Sequence, residues 1–170
     1  VETFYAHYGH FGAYISYRDL DGELIDEKFK IDGVEYPEEK EGTDGETIEK
    51  TVYNADTAPK FVGYKFNRIE LNPANAKYAM DNKATIKIYY EKLPDVIPDK
   101  TPDNDDDKPE GYVTVEFLAD DASHAGNDAR GILTGKTAFY VNPKAEKKNS
   151  DLTEPTIKAK TGFKVADEKW

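Results

Sequence analysis

Residues 94–111 read PDVIPDKTPDNDDDKPEG, the stretch that sets the organisation of the chain. It contains four prolines and seven acidic residues against two lysines. Proline removes a backbone donor and fixes φ, and like charges repel, so we expect this stretch to be extended and free of helix or sheet. Alternating strand-like sequence lies on either side of it. The sequence therefore predicts two bodies, residues 1–93 and 112–170, joined by an acidic, proline-rich linker at 94–111.

The 170-residue chain has a net charge of −11, and its acidity is unevenly distributed. Residues 1–93 hold 12 basic and 18 acidic residues, a net charge of −6, and the linker holds 2 and 7, a net charge of −5. Nucleic acids and anionic membranes are bound through clustered Lys and Arg, so neither is an expected partner. The chain has no Cys, which excludes disulfides, Cys-ligated zinc and thiol catalysis. No apolar run reaches the roughly 20 residues that a membrane helix needs.

The first body reads as a set of strands. Residues 13–18, AYISYR, alternate as a strand does, and the Asp21-Gly22 pair that follows is typical of a hairpin turn leading to a second strand over residues 23–31. Residues 84–92, ATIKIYYEK, form the clearest strand. Its alternation predicts inward-facing Ile86, Ile88 and Tyr90 and outward-facing Thr85, Lys87, Tyr89 and Glu91.

The sequence pattern of the second body predicts the same plan as that of the first. Strands are predicted over residues 112–118, over 132–133 and then 136–141, and over 156–160. Residues 162–165, GFKV, then echo residues 63–66, GYKF, so we expect a strand at both places and one further strand beyond Trp170. The predicted fold class is mainly β (α+β).

The motifs carry a resemblance to known families. The runs YISYRDLDGELI (14–25), GYKF (63–66) and TIKIYY (85–90) resemble the mucin-binding-protein (MucBP-like) repeat of Gram-positive surface proteins. The second body resembles a streptococcal-type tandem surface repeat through YVTVEF, a Gly-Lys-Thr strand with YVNP (140–143), and a Gly-aromatic segment leading to Trp170. Both groups are similar to β-grasp modules, so the resemblance implies two small β-grasp-like modules.

The resemblance also implies a function. It predicts a non-enzymatic fragment of an extracellular, cell-wall-anchored adhesin that binds a host glycan or a host extracellular protein. The start at Val1 favours a fragment of a longer chain, and the expected state is a monomer within a larger multidomain chain. The alternatives are a structural stalk that projects a separate binding domain, or an accessory module of a surface carbohydrate-active enzyme.

Candidate site residues are few. The candidates for ligand contact are Tyr5, Tyr8 and Tyr14, because Tyr brings contact area at low entropic cost, but packing in a small core is the favoured interpretation of these tyrosines. His7 and His10 lack the further ligands that a metal needs, and the run at 103–107 lacks the spacing of a calcium loop, so no metal or cofactor is expected. No nucleophile–base pair or phosphate loop is recognised, which predicts that the chain is not an enzyme. Lys87 and Lys158, considered for an isopeptide crosslink, are in the outward phase of their strands and are predicted to be solvated.

Overall fold

The computed structural model describes residues 11–80, 84–98, 107–119, 130–146 and 152–165, and these are mainly β. The chain divides into two compact units, Val1–Leu93 and Pro94–Trp170. The helical structure among the described residues is of the 3-10 type, in the turn Glu27–Phe29 and at Asp107. The predicted mainly-β class is therefore confirmed, and the described part of the chain contains no α-helix.

One four-stranded sheet organises the first unit, in the order β2-β1-β4-β3. Its strands are β1 (Gly12–Asp19), β2 (Glu39–Glu41), β3 (Tyr64–Asn72) and β4 (Thr85–Lys92). The central strands β1 and β4 run parallel, whereas the edge strands β2 and β3 pair antiparallel with them. Two parallel neighbouring strands cannot be joined by a tight turn. The chain therefore forms both edge strands, β2 and β3, before β4 pairs with β1.

The core of the first unit lies against one side of this sheet. Ile86, Ile88 and Tyr90 of β4 are buried, which confirms their predicted inward phase. Phe61, just before β3, packs edge-on against Tyr90 with ring centroids 5.3 Å apart. The other buried apolar side chains of this cluster are Ala13, Ile15, Ile25, Ile48, Ala58, Leu71, Ala76, Tyr78 and Ala84.

The predicted turn after β1 is present, but most of the strand predicted to follow it is not. Gly22 has a φ of 89°, and Arg18 pairs with Leu24 in an isolated bridge across the turn. The Asp26 carboxylate then accepts the backbone N–H two residues ahead and caps the 3-10 turn. A strand over residues 23–31 is therefore wrong beyond Leu24, because this local hydrogen bond competes with a strand ladder.

The second unit has two small sheets. Its strands are β5 (Val96–Pro98), β6 (Val113–Glu116), β7 (Gly131–Thr134), β8 (Ala138–Val141) and β9 (Thr156–Ala159). β8 is the centre of a sheet with β5 and β6 antiparallel on its two sides, and β7 pairs antiparallel with β9. The strand predicted from residues 132–133 and then 136–141 is thus two strands of different sheets. Gly135 interrupts it with a φ of 112°, which a strand does not accommodate.

Part of the proline-rich stretch belongs to the second unit as a strand. Val96 is in register with Val141 of β8, so the prediction that residues 94–111 are free of sheet is wrong for Val96–Pro98. Val and Ile favour strands, and β5 is an edge strand that ends at Pro98, where a missing N–H is tolerated. Residues 99–106 lie outside the described residues.

Two further hydrogen bonds attach the beginning of this stretch to the second unit. The Tyr112 hydroxyl donates to the Pro94 carbonyl at 2.9 Å, and the Asn142 N–H donates to the Asp95 carbonyl at 2.8 Å. β5 and β6 both run antiparallel to β8, so the acidic residues between them connect two strands of one sheet.

The echo between residues 63–66 and 162–165 does not extend to a common strand. Gly63 and Gly162 both have positive φ, 82° and 90°. β3 begins directly after Gly63, whereas residues 162–165 contain no strand, so the predicted shared plan is wrong at this element. The Gly-aromatic pattern favours a turn at both places. A strand additionally needs a neighbouring strand to pair with, and β3 has that neighbour in β4. Trp170 and the strand predicted beyond it lie outside the described residues.

Candidate ligand-binding surface

The described part of the predicted tyrosine surface is Tyr14. Tyr5 and Tyr8 lie outside the described residues, as do His7 and His10. Tyr14 is on β1 with half of its surface exposed, and it is in register with Thr85 of β4. Neighbouring residues of β1 face the core, so Tyr14 points to the opposite, solvent-facing side of the sheet.

Other tyrosines of the first unit pack in its core. Tyr17 and Tyr90 both contact Phe61, and their hydroxyls donate to the carbonyls of Pro37 and Pro59 at 2.8 and 2.7 Å. Burial, followed by neighbouring tyrosines, raises the pKa of both phenols well above its ordinary value. As neutral hydrogen-bond donors, these side chains hold loops against the sheet. Their role is core packing, the alternative to ligand contact.

The solvent-facing side of the first sheet carries side chains in ordered rows. Strand register places nine residues of β1, β4 and β3 in three rows across the sheet, and we call these nine residues the outward face. Residues in register on neighbouring strands are about 5 Å apart, so side chains within a row can touch. The rows are Tyr14–Thr85–Asn72, Ser16–Lys87–Glu70 and Arg18–Tyr89–Arg68.

The third row places Arg18 and Arg68 on the two strands that flank Tyr89. The guanidinium carbon of Arg68 lies 4.3 Å from the centroid of the Tyr89 ring, whose residue is only 8% exposed. On the other side, Arg18 donates to the Gly22 carbonyl at 2.6 Å and to the Ser16 hydroxyl at 3.2 Å. Stacking and hydrogen bonds thus restrict both cations before any ligand arrives.

The second row is electrically balanced. Lys87 Nζ lies 3.9 Å from Glu70 Oε1. A pair this exposed contributes little to stability, but it neutralises its row and leaves the positive charge of the outward face in the third row. Lys87 therefore lies in the predicted outward phase, with an ionic partner, and Lys158 is exposed on β9 as predicted.

Sequence reasoning did not identify the arginines of the outward face. The alternation of residues 84–92 predicted that Tyr89 points outward, and it does. Arg18 and Arg68 are far apart in the chain, and only the strand register brings both beside Tyr89. The sequence does contain a signal for these arginines, because two of the three arginines in the whole chain are in strand-like segments of the first body.

The described residues contain neither a group of metal ligands nor a membrane-spanning helix. Over the described ranges, no three His, Cys, Asp or Glu side chains are grouped so that they could hold a metal ion. Of the acidic run at 103–107, only Asp107 is among the described residues. Nor does any helix in the described part of the chain have the length and apolar character to cross a membrane.

No family model matches the chain, and neither a curated protein nor a solved structure matches it. The resemblance to mucin-binding and streptococcal repeats therefore stays a prediction from the sequence motifs. The outward face is the described surface on which a binding function can be tested.

Proposed function

We propose that the chain is a non-enzymatic fragment of a Gram-positive cell-surface adhesin that binds a host glycan or a host extracellular protein. The observation that carries the proposal is the outward face, an uncovered sheet surface on which a half-exposed tyrosine lies beside hydroxyl, amide and charged side chains. Polar, hydrogen-bonding side chains around an amphipathic aromatic ring suit recognition of sugars or of polar protein surfaces.

The motif resemblance supports the same proposal. The MucBP-like runs fall on β1 with its turn, on β3 and on β4, which are neighbours in one sheet. We also propose that the modules are β-grasp-like. The parallel pairing of β1 and β4, the first and last strands in the described part of the first unit, supports this for that unit.

A structural stalk is the second candidate. It is favoured by the succession of two compact β-rich units along the chain, an arrangement that can project another domain. A stalk needs no ligand, so binding measurements separate the two candidates.

The test is a binding screen of the full chain against a panel of host glycans and extracellular matrix proteins. For any ligand found, Tyr14→Ala should weaken binding, and Phe163→Ala serves as the matched control. Both are aromatic residues about half exposed, but Phe163 lies in the second unit. Equal binding by both variants and the wild type would remove the outward face from the proposal, and no binding across the panel would favour the stalk.

The proposed location has its own test. Antibodies raised against the chain should label intact bacterial cells without permeabilisation. Labelling that requires permeabilised cells would contradict a surface location.

A further inference from the structure

We infer that the third row of the outward face, Arg18–Tyr89–Arg68, binds the carboxylate or sulfate groups of an anionic polysaccharide. This inference rests on the proposed binding function and specifies the chemistry of the ligand. It comes from the arrangement of the three side chains across β1, β4 and β3.

The charge of the row contrasts with that of its surroundings. The first body has a net charge of −6 and the whole chain −11, yet this row contains two positive charges and no acid. The row beside it is balanced by the Lys87–Glu70 pair. Acidic residues do occur in the turn next to Arg18, at Asp19, Asp21 and Glu23. Their negative charge limits how many anionic groups of a ligand can lie near Arg18.

The guanidinium groups are held in place. Arg68 stacks on the Tyr89 ring and has a single weak side-chain hydrogen bond, of 3.3 Å to the neighbouring Asn67. Arg18 uses its Nε and one terminal nitrogen in hydrogen bonds, and its other terminal nitrogen has no partner among the described residues. A planar guanidinium with free N–H groups matches carboxylate and sulfate oxygens, and prior ordering lowers the entropic cost of binding.

The rest of the outward face favours a sugar polymer over an acidic peptide. Ser16, Thr85 and Asn72 offer neutral donors and acceptors for hydroxyl groups. Tyr14 offers an exposed ring at the far row. Hot spots of protein interfaces are instead aromatic and Arg side chains packed in desolvated pockets, whereas Tyr14 and Arg68 of this face are exposed.

The experiment compares the 170-residue wild-type chain with single variants for binding to immobilised heparin, hyaluronan, neutral dextran and polyglutamate. Heparin carries sulfate and carboxylate, hyaluronan carboxylate alone, and dextran neither. Arg68→Gln should lower affinity for the anionic polymers by about fivefold, and Arg68→Lys should have an intermediate effect because it keeps charge but loses the planar fork. Glu70→Gln should raise affinity, because it removes the acid that balances Lys87.

Arg130→Gln is the matched control. Arg130 also lies over an aromatic ring, 5.8 Å from the centroid of Phe163, but in the second unit. A weakening by Arg130→Gln as large as that by Arg68→Gln would overturn the inference, since the binding would then follow overall charge. Thermal melts of each variant separate lost binding from lost folding.

The outcomes distinguish the inference from the proposed function. Binding to dextran or a host protein but not to heparin or hyaluronan would overturn the inference and leave the adhesin proposal standing. Equal affinity for polyglutamate and for heparin would overturn the assignment to a polysaccharide. No binding to any sugar or host protein would overturn both.

Discussion

Substituting alanine for Gly42 should markedly destabilise the first unit. A Cβ built on Gly42 would lie 2.3–2.5 Å from three carbon atoms of the Tyr78 ring, far closer than van der Waals contact. The ring cannot easily move away, because the Tyr78 N–H donates to the Glu46 carbonyl and its own carbonyl accepts from Gly45. Tyr78 is also buried, at 6% exposure.

The magnitude follows from two opposing terms. Overpacking a well-packed core costs about 1–3 kcal/mol, and the severity of this contact puts the cost near the upper end. Replacing glycine also reduces the entropy of the unfolded chain, which offsets about 1 kcal/mol at most. The net loss is about 2 kcal/mol, which corresponds to a fall in melting temperature of roughly 8–16 °C for a unit of this size.

The assay is thermal and urea unfolding of the full chain, followed by the near-ultraviolet circular dichroism of tyrosine. Ten of the 12 tyrosines precede residue 94, so this signal reports mainly on the first unit. Glu41→Ala, at the neighbouring exposed position, is the control and should change stability by less than about 0.5 kcal/mol. A double-mutant cycle with Tyr78→Leu should show that the Gly42→Ala penalty shrinks when the ring is gone. Additive effects, or a Gly42→Ala protein as stable as wild type, would refute the packing argument.

Three other outcomes are expected. Gly22→Val should destabilise the first unit by about 1–2 kcal/mol in urea unfolding, because Gly22 has a φ of 89° with open space around it. Gly22→Asn should cost less stability, and equal costs for the two variants would contradict a purely conformational effect. Tyr90→Phe should cost about 1–2 kcal/mol in the same assay, because it leaves the Pro59 carbonyl without its donor; a neutral result would mean that water replaces the phenol. Burial raises the pKa of Tyr112 to about 12 and shifts the pKa of Tyr90 upward, so the unfolded chain loses these protons first. Stability should be insensitive to these groups below about pH 10 and fall as the pH rises above it, as measured by urea unfolding together with tyrosinate absorbance. A tyrosinate signal near pH 10 in the still-folded protein that disappears in Tyr112→Phe or Tyr90→Phe would contradict this.

The inward phase of β4 and the turn at Gly22 could be predicted from the sequence. Alternation along a strand and the tolerance of glycine for positive φ are local properties, so a few neighbouring residues determine them. The mainly-β class followed from the same local signals, summed over the chain. The exposure of Tyr14 agrees with its place in the alternation of β1.

Only the tertiary structure decided which strands are neighbours. β1 lies beside β4, which is distant in the chain, and Val96–Pro98 joins the second unit although prolines and acids surround it. Residues 162–165 repeat the pattern that precedes β3 and yet form no strand. Strand pairing depends on backbone hydrogen bonds and side-chain packing between distant segments, and no local pattern encodes them. For the same reason the row formed by Arg18, Tyr89 and Arg68 exists only in the folded sheet, where register brings together residues that the sequence keeps apart.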